Sequence, residues 1–228
     1  MSEIRIIAGQ YRRRKITVID APDLRPTADR GRETLFNWLQ HHLTGAVCLD
    51  AFAGSGALGF EACSRGAQHA VLIEQQLNVF NQLQKTQALL QCNHCQLIHG
   101  NALDWLSAQA QLTHNRINQL NVDYSNQNPP QKIGFDIIFL DPPFRDSQLL
   151  TDMLILLTSQ DALNANGFAY LELPEAFFAH QLHANPGNAD ALSIDRAQAA
   201  LPETWQQYAR CIKQQRIGQS RLQLWQKK

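Results

Sequence analysis

Asp141, Pro142, Pro143 and Phe144 directly follow the apolar run Phe135-Asp136-Ile137-Ile138-Phe139-Leu140. That run reads as a buried strand, so a carboxylate, two imino acids and an aromatic ring stand at its carboxyl end. Proline has a fixed φ and no N–H to extend a sheet ladder, so the strand must stop there. The Asp141 carboxylate and the Pro142 carbonyl become two rigid acceptors side by side, matched to the two hydrogens of an exocyclic amine. Phe144 offers a flat face on which a base can stack. An ordinary strand-ending turn would use the same residues, and Pro-Pro alone is common. A second motif separates the two readings.

That motif is Val47-Cys48-Leu49-Asp50-Ala51-Phe52-Ala53-Gly54-Ser55-Gly56-Ala57-Leu58-Gly59. An apolar strand runs into a glycine turn, and a helix is expected from about Ala57. Glycines 54, 56 and 59 fit G-x-G-x-x-G, which lets backbone approach a ligand and a helix pack tightly on a strand. Twenty residues past Gly54, Glu74 closes the apolar strand Ala70-Val71-Leu72-Ile73, where an acid can accept from ribose hydroxyls. The glycine pattern alone fits a dinucleotide as well as S-adenosylmethionine. Asp50, the glycine turn, Glu74 and a later Asp-Pro-Pro-Phe together form a far more specific set.

These residues need a scaffold that brings strand ends together. Strands are expected near 46–52, 69–74, 95–99, 135–141 and 168–173, and helices near 57–64, 76–91, 102–109 and 148–158. Such alternation implies right-handed crossovers and a parallel sheet. Tyr208–Arg216 and Arg221–Gln226 read as a hairpin turning through Gly218. Ahead of this body, Ile4–Ile7 and Lys15–Ile19 read as two short strands around the basic loop Tyr11-Arg12-Arg13-Arg14. Residues 28–42 read as a helix with Leu35, Phe36, Trp38 and Leu39 toward a core. The division is residues 1–43, a basic hairpin and helix appendage, and 44–228, the main domain. Ser107–Gln131 and His183–Gln198 are too polar for a core and read as surface excursions.

With these motifs the chain resembles the bacterial 16S rRNA (guanine-N2) methyltransferases, the single-domain type that modifies one guanine of the small-subunit head. The resemblance spans nearly the whole chain, including Arg5-Ile6-Ile7-Ala8-Gly9 and the block Leu24-Arg25-Pro26-Thr27-Ala28-Asp29-Arg30-Gly31-Arg32-Glu33-Thr34-Leu35-Phe36-Asn37-Trp38-Leu39. That block is the most family-specific. The chain departs from the family in three places. Gly31 stands where an apolar residue is usual, Ala8 and Arg13 stand where glycines are expected, and 107–131 is an insertion.

The resemblance implies an α/β, Rossmann-like class I S-adenosylmethionine-dependent methyltransferase. Its mostly parallel seven-stranded sheet would end in an antiparallel hairpin, with a small N-terminal β-hairpin and helix appendage. The expected catalytic residues are Asp141, Pro142 and Phe144. Cofactor contacts are expected from Asp50, Phe52, Gly54, Ser55, Gly56, Glu74, Asn101, Ala102 and Asp141, although Asn101 equally suits a helix N-cap. Arg5, Arg12, Arg13, Arg14, Lys15, Arg25, Thr27 and Arg30 are expected on RNA, with Arg25-Pro26-Thr27 near the active-site mouth. The expected partner is 16S rRNA within the small subunit or its assembly intermediate, and the expected chain is monomeric.

Composition sets the remaining bounds. The chain has 228 residues, is 44% hydrophobic and can bury one sizeable core. No apolar leader or membrane-length run is read, and five cysteines suggest reduced thiols in the cytoplasm. Cys92-Asn93-His94-Cys95 has metal-like spacing but no matching second pair. It reads as a helix end followed by a strand start, and no metal is expected. Net charge is zero but unevenly placed. Residues 1–32 carry eight basic and four acidic side chains, residues 205–228 carry six basic and none acidic, and 33–204 carry six basic against sixteen acidic. Basic ends on an acidic body suggest a nucleic-acid footprint made by the termini.

Three rivals remain at the level of sequence. One is an amino-methyltransferase acting on another RNA or on adenine N6 of DNA, against which the lack of a separate target-recognition domain argues. A second is a dinucleotide-dependent oxidoreductase, which calorimetry with S-adenosylhomocysteine and NAD would separate. The third is a non-catalytic RNA-binding assembly factor, against which the intact Asp141, Gly54 and Gly56 argue.

Overall fold

The computed structural model describes residues 2–19, 29–109, 134–143, 147–174 and 201–228. Phe144, Arg25 and Thr27 lie outside these residues, as do most of Ser107–Gln131 and all of His183–Gln198. The chain opens with an antiparallel hairpin, β1 (Ser2–Arg5) and β2 (Lys15–Val18), and a helix, α1 (Asp29–Trp38). There follow β3 (Val47–Asp50), α2 (Ala57–Ser64), β4 (His69–Glu74), α3 (Leu77–Leu90) and β5 (Cys95–His99). Helix α4 (102–109) comes next. Then come β6 (Phe135–Leu140), α5 (Ser147–Ser159), β7 (Leu163–Pro174), α6 (Glu203–Tyr208), β8 (Ala209–Ile217) and β9 (Ser220–Lys227).

The main sheet has the order β5-β4-β3-β6-β7-β9-β8. Its first five strands pair in parallel, while β9 runs antiparallel to both β7 and β8. Helices cover both faces, so the central strands are apolar on both sides and read as continuous runs. Cys48, Leu72, Ile137, Phe139 and Tyr170 pack toward one face, with the hairpin, α1 and α2. Leu49, Val71, Ile138, Leu140 and Leu171 pack toward the other, with α5 and α6.

The N-terminal hairpin is held down by buried polar groups of α2. The Glu61 carboxylate, fully buried, accepts the Ile7 amide at 2.7 Å and the Ala8 amide at 3.0 Å. It also accepts from Arg65 Nε at 2.6 Å. Ser64 Oγ donates to the Ala8 carbonyl and accepts the Tyr11 amide at 2.9 Å. Ile4, Ile6, Ile16 and Val18 thereby join the same core cluster as α1 and β3.

Four expectations need adjusting. The first strand ends at Arg5 rather than Ile7, because Ile7 and Ala8 give their amides to Glu61. Helix α1 stops at Trp38 and not 42, and residues 39–42 form a turn in which Leu39 is still buried. Strand β7 begins at Leu163, five residues early, through a register shift opposite Phe135–Ile137. Helix α6 has no counterpart in the sequence reading. Arg13, where a glycine is expected from the family pattern, does adopt φ of 68°, a region that L-residues rarely enter.

Candidate active site

A cleft of about 680 Å³ opens at the carboxyl ends of the parallel strands, where ligands bind in doubly wound sheets. It is lined by Asp50 at the end of β3 with Phe52, Gly54 and Ser55 after it, Glu74 at the end of β4, Asn101 and Ala102 after β5, and Asp141 and Pro142 after β6. These nine candidates come from four strand ends, and the sheet order brings them together. Gly56, in the same turn, is buried beside it.

The turn geometry explains the glycines. Gly54 and Gly56 have φ of 53° and 81°. A Cβ at Gly56 would sit 2.4 Å from the Phe60 ring, so a side chain there is excluded by both backbone and space. At Gly59 a Cβ would lie 2.6 Å from Leu72, which sets how closely α2 can rest on β4.

Two buried acids brace this turn. Asp50 Oδ2 accepts the Gly59 amide at 2.9 Å, tying β3 to the first turn of α2. Burial pushes the Asp50 carboxyl up to about 7; the Gly59 amide opposes the shift and nearby Glu74 adds to it. Glu74 accepts the Gly54 amide on Oε2 at 2.9 Å and the Gln76 amide on Oε1 at 2.7 Å. Burial raises its pKa too, against the pull of those amides. Asn101 is an N-cap: its Oδ1 accepts the Leu103 amide at 2.8 Å and the Asp104 amide at 3.3 Å. It starts α4 on the cleft wall, so the two alternatives for this residue are compatible.

The catalytic candidates stand one rung beyond the last β6–β7 pair. Leu140 is paired with Leu171, so Asp141 leaves the sheet beside Glu172. Glu172 lines the cleft and was not singled out from the sequence. It is buried, its Oε2 accepts from Tyr170 Oη at 2.9 Å, and burial raises its pKa against the Tyr170 and Ser220 hydroxyls. A lone acid in Tyr170-Leu171-Glu172-Leu173-Pro174, just before a strand-ending proline, was the available signal. The far wall comes from the β8–β9 turn, Ile217 to Ser220, and the near wall includes Val18 and Gly31. Neither wall was read from the sequence.

The basic candidates divide by position. Arg5, Arg12, Arg13, Arg14, Lys15 and Arg30 are exposed. Lys15 pairs with Glu3 at 2.6 Å, and Arg14 Nη1 donates to the Leu89 carbonyl at 2.8 Å. The Gly9–Arg14 loop is anchored on Ser64, at the end of α2 opposite the glycine turn. An eight-residue helix spans about 12 Å, so this loop lies well away from the cleft. Arg30 and Arg216, both exposed, directly adjoin the cleft-lining Gly31 and Ile217.

A seven-stranded sheet of this order, with a glycine turn after β3, an acid at the end of β4 and Asp-Pro-Pro after β6, defines a class I, S-adenosylmethionine-dependent methyltransferase. The "Conserved hypothetical protein 95" family model matches residues 4–193. Ribosomal RNA small subunit methyltransferase D of Haemophilus influenzae is 42% identical over 170 residues, covering 75% of this chain and 78% of that one. The Escherichia coli protein of the same name is 44% identical over 170 residues, covering 75% and 74%. A solved methyltransferase structure from Escherichia coli superposes with a TM-score of 0.71 at 32% identity, covering 100% of this chain and 99% of that one. The chain belongs to the ribosomal RNA small subunit methyltransferase D family.

Proposed function

We propose that this enzyme transfers a methyl group from S-adenosylmethionine to the exocyclic N2 of one guanine in 16S rRNA. The observation that carries this reading is the convergence of the glycine turn, Glu74 and Asp141-Pro142 on one cleft. The cleft volume suits a cofactor-sized ligand. The bound cofactor supplies an electrophilic methyl on a sulfonium. The turn from Phe52 through Gly56 would hold its amino-acid part and ribose. Glu74 keeps lone pairs for ribose hydroxyls beyond the two amides it already holds. Asn101 and Ala102 would flank the adenine, and Asp50 would act by holding the turn.

The lone pair of guanine N2 is delocalised into the ring, so the amine is a poor nucleophile. Asp141 and the Pro142 carbonyl accept its two hydrogens and hold the nitrogen toward tetrahedral geometry. The lone pair then points along the line of transfer, and the carboxylate stabilises the developing cation. The proton leaves to Asp141 or to water after transfer. Glu172 offers an acceptor beside Asp141 for guanine N1–H, a donor that adenine lacks at the same position. This favours guanine over adenine N6. The base must leave its stack to enter the cleft, and Phe144 is proposed to support it there.

Arg5, Arg12, Arg13, Arg14, Lys15, Arg25, Thr27 and Arg30 are proposed to engage the RNA, the charged ones through phosphates. The acidic 33–204 body would be repelled by an extended RNA surface. The proposed substrate is therefore a protein-bearing small-subunit particle, in which ribosomal proteins hold the target loop open and screen phosphates. The enzyme would act in the cytoplasm, as a monomer.

The test has two parts. Mapping N2-methylguanosine in small-subunit rRNA from a strain lacking the gene should show one site lost and restored by the gene. An unchanged map would remove the guanine assignment. Labelled-methyl transfer to deproteinised 16S rRNA, subunits and ribosomes should favour a particle, and equal rates on naked rRNA would remove only the particle claim.

A further inference from the structure

At the edge of the sheet away from the cleft, the fold assembles a group that the sequence leaves scattered. Cys63 is near the end of α2, Cys92 and His94 lie between α3 and β5, and Cys95 opens β5. Helix α3 ends through Gln91 in the left-handed region at φ of 55°, which turns the next four residues back toward α2. The ligand atoms of Cys63, Cys92 and His94 all lie within 4.8 Å of one another. Cys92 Sγ is 3.9 Å from His94 Nε2. Cys95 adjoins this group: its thiol donates to the Cys92 carbonyl at 3.3 Å. All three cysteines are buried and none is in a disulfide.

We propose that Cys63, Cys92 and His94, with Cys95 as the fourth ligand, bind one structural zinc ion. Tetrahedral zinc with bonds of about 2.0–2.3 Å places its ligand atoms about 3.5–3.8 Å apart. The Cys92–His94 spacing is already close to this, and a contraction of the side chains supplies the rest. The donor set, three sulfurs and an imidazole, is one that zinc favours in closed sites. Along the sequence, Cys92-Asn93-His94-Cys95 has no matching second pair. The missing ligand is Cys63, brought from another element by the βαβ crossover.

The position assigns a structural role. The Tyr11 ring stacks on His94, with centroids 6.4 Å apart and planes 22° from parallel. The Tyr11 amide is bound to Ser64, next to Cys63, and Arg14 reaches the end of α3. A metal here would join α2, the α3–β5 turn and, through Tyr11, the loop that carries Arg12, Arg13 and Arg14. It would fix that loop without touching the cleft.

The experiment uses the full chain, reduced, loaded with zinc and desalted. Elemental analysis should find about one zinc per chain. Cobalt substituted for zinc should give a thiolate-to-cobalt charge-transfer band and the visible bands of tetrahedral cobalt. Zinc should raise the melting temperature. Cys92→Ser should lower zinc affinity at least tenfold and abolish the thermal shift, while Cys211→Ser should behave as the parent. S-adenosylhomocysteine binding at the opposite edge checks that Cys92→Ser is folded, and His94→Gln replaces it if it is not. Absence of zinc from the reduced protein, or equal retention by the folded ligand variants, would overturn the proposal.

Discussion

Glu74 Oε2 accepts the backbone amide of Gly54 at 2.9 Å, across twenty residues of sequence and two neighbouring parallel strands. The carboxylate proposed to hold the ribose thus also fixes the turn that faces it. Removing it takes away a ligand contact and leaves the buried Gly54 amide without this acceptor. A charge-assisted hydrogen bond is worth about 1.5–3 kcal/mol, roughly tenfold or more in affinity. Glu74→Ala is expected to weaken S-adenosylhomocysteine by more than that single bond, and Glu74→Gln by less, because one amide acceptor survives. Calorimetry reads both; equal constants for the parent and Glu74→Ala would show that this acid does not organise the cofactor site.

Asp141→Ala should leave cofactor affinity within a few-fold of the parent and cut single-turnover methyl transfer by about 10²–10³. This is the typical cost of removing a group that stabilises charge formed only in the transition state. Near-parental transfer would show that Asp141 does not act on the amine.

Glu172→Gln tests the base edge. The side chain keeps its size and its reach to Tyr170 but loses the carboxylate that would accept guanine N1–H. Transfer should fall at subsaturating RNA while S-adenosylhomocysteine affinity holds. An unaltered ratio of transfer rate to RNA concentration would remove Glu172 from recognition.

Asp50 carries a pH dependence. Its folded-state pKa, pushed up to about 7 by burial, lies above the ordinary carboxyl value near 4, so the folded protein holds this proton more tightly. The resulting stabilisation is full below about pH 4 and is lost as pH rises through about 7. The slope is at most about 1.4 kcal/mol per pH unit for one proton. Asp50→Asn keeps an acceptor for the Gly59 amide and should flatten this window. Urea midpoints of the cofactor-free proteins from pH 5 to 8 give the comparison; parallel profiles would mean another group titrates.

Neutralising Arg12, Arg13 and Arg14 together should flatten the salt dependence of RNA binding. Each lost phosphate contact removes roughly 0.7 from the log–log slope for a single strand. The loop sits at the far end of α2 from the glycine turn, so transfer from the bound complex should change little. A filter-binding series from low to moderate salt measures the slope, and an unaltered one would mean these arginines meet only solvent.

The sequence by itself determined the strand ends and what stands on them. Apolar runs that stop at Asp50, Glu74 and Asp141 are continuous because both sheet faces are covered. The glycine turn and Pro142-Pro143 break the chain where local sterics demand it. Those signals are local, and they placed the parallel sheet, the terminal hairpin and the cleft-lining candidates after β3, β4, β5 and β6. What lay beyond local physics depends on contacts between residues far apart in the chain. The tertiary structure alone set Glu172 beside Asp141, because register between β6 and β7 is a property of two strands. It made Glu61 an anchor for Ile7 and Ala8, more than fifty residues away. It walled the cleft with the β8–β9 turn, and it carried Cys63 to Cys92 and His94. No spacing rule in one dimension contains these pairs, since each arises from packing or pairing between elements far apart in the chain.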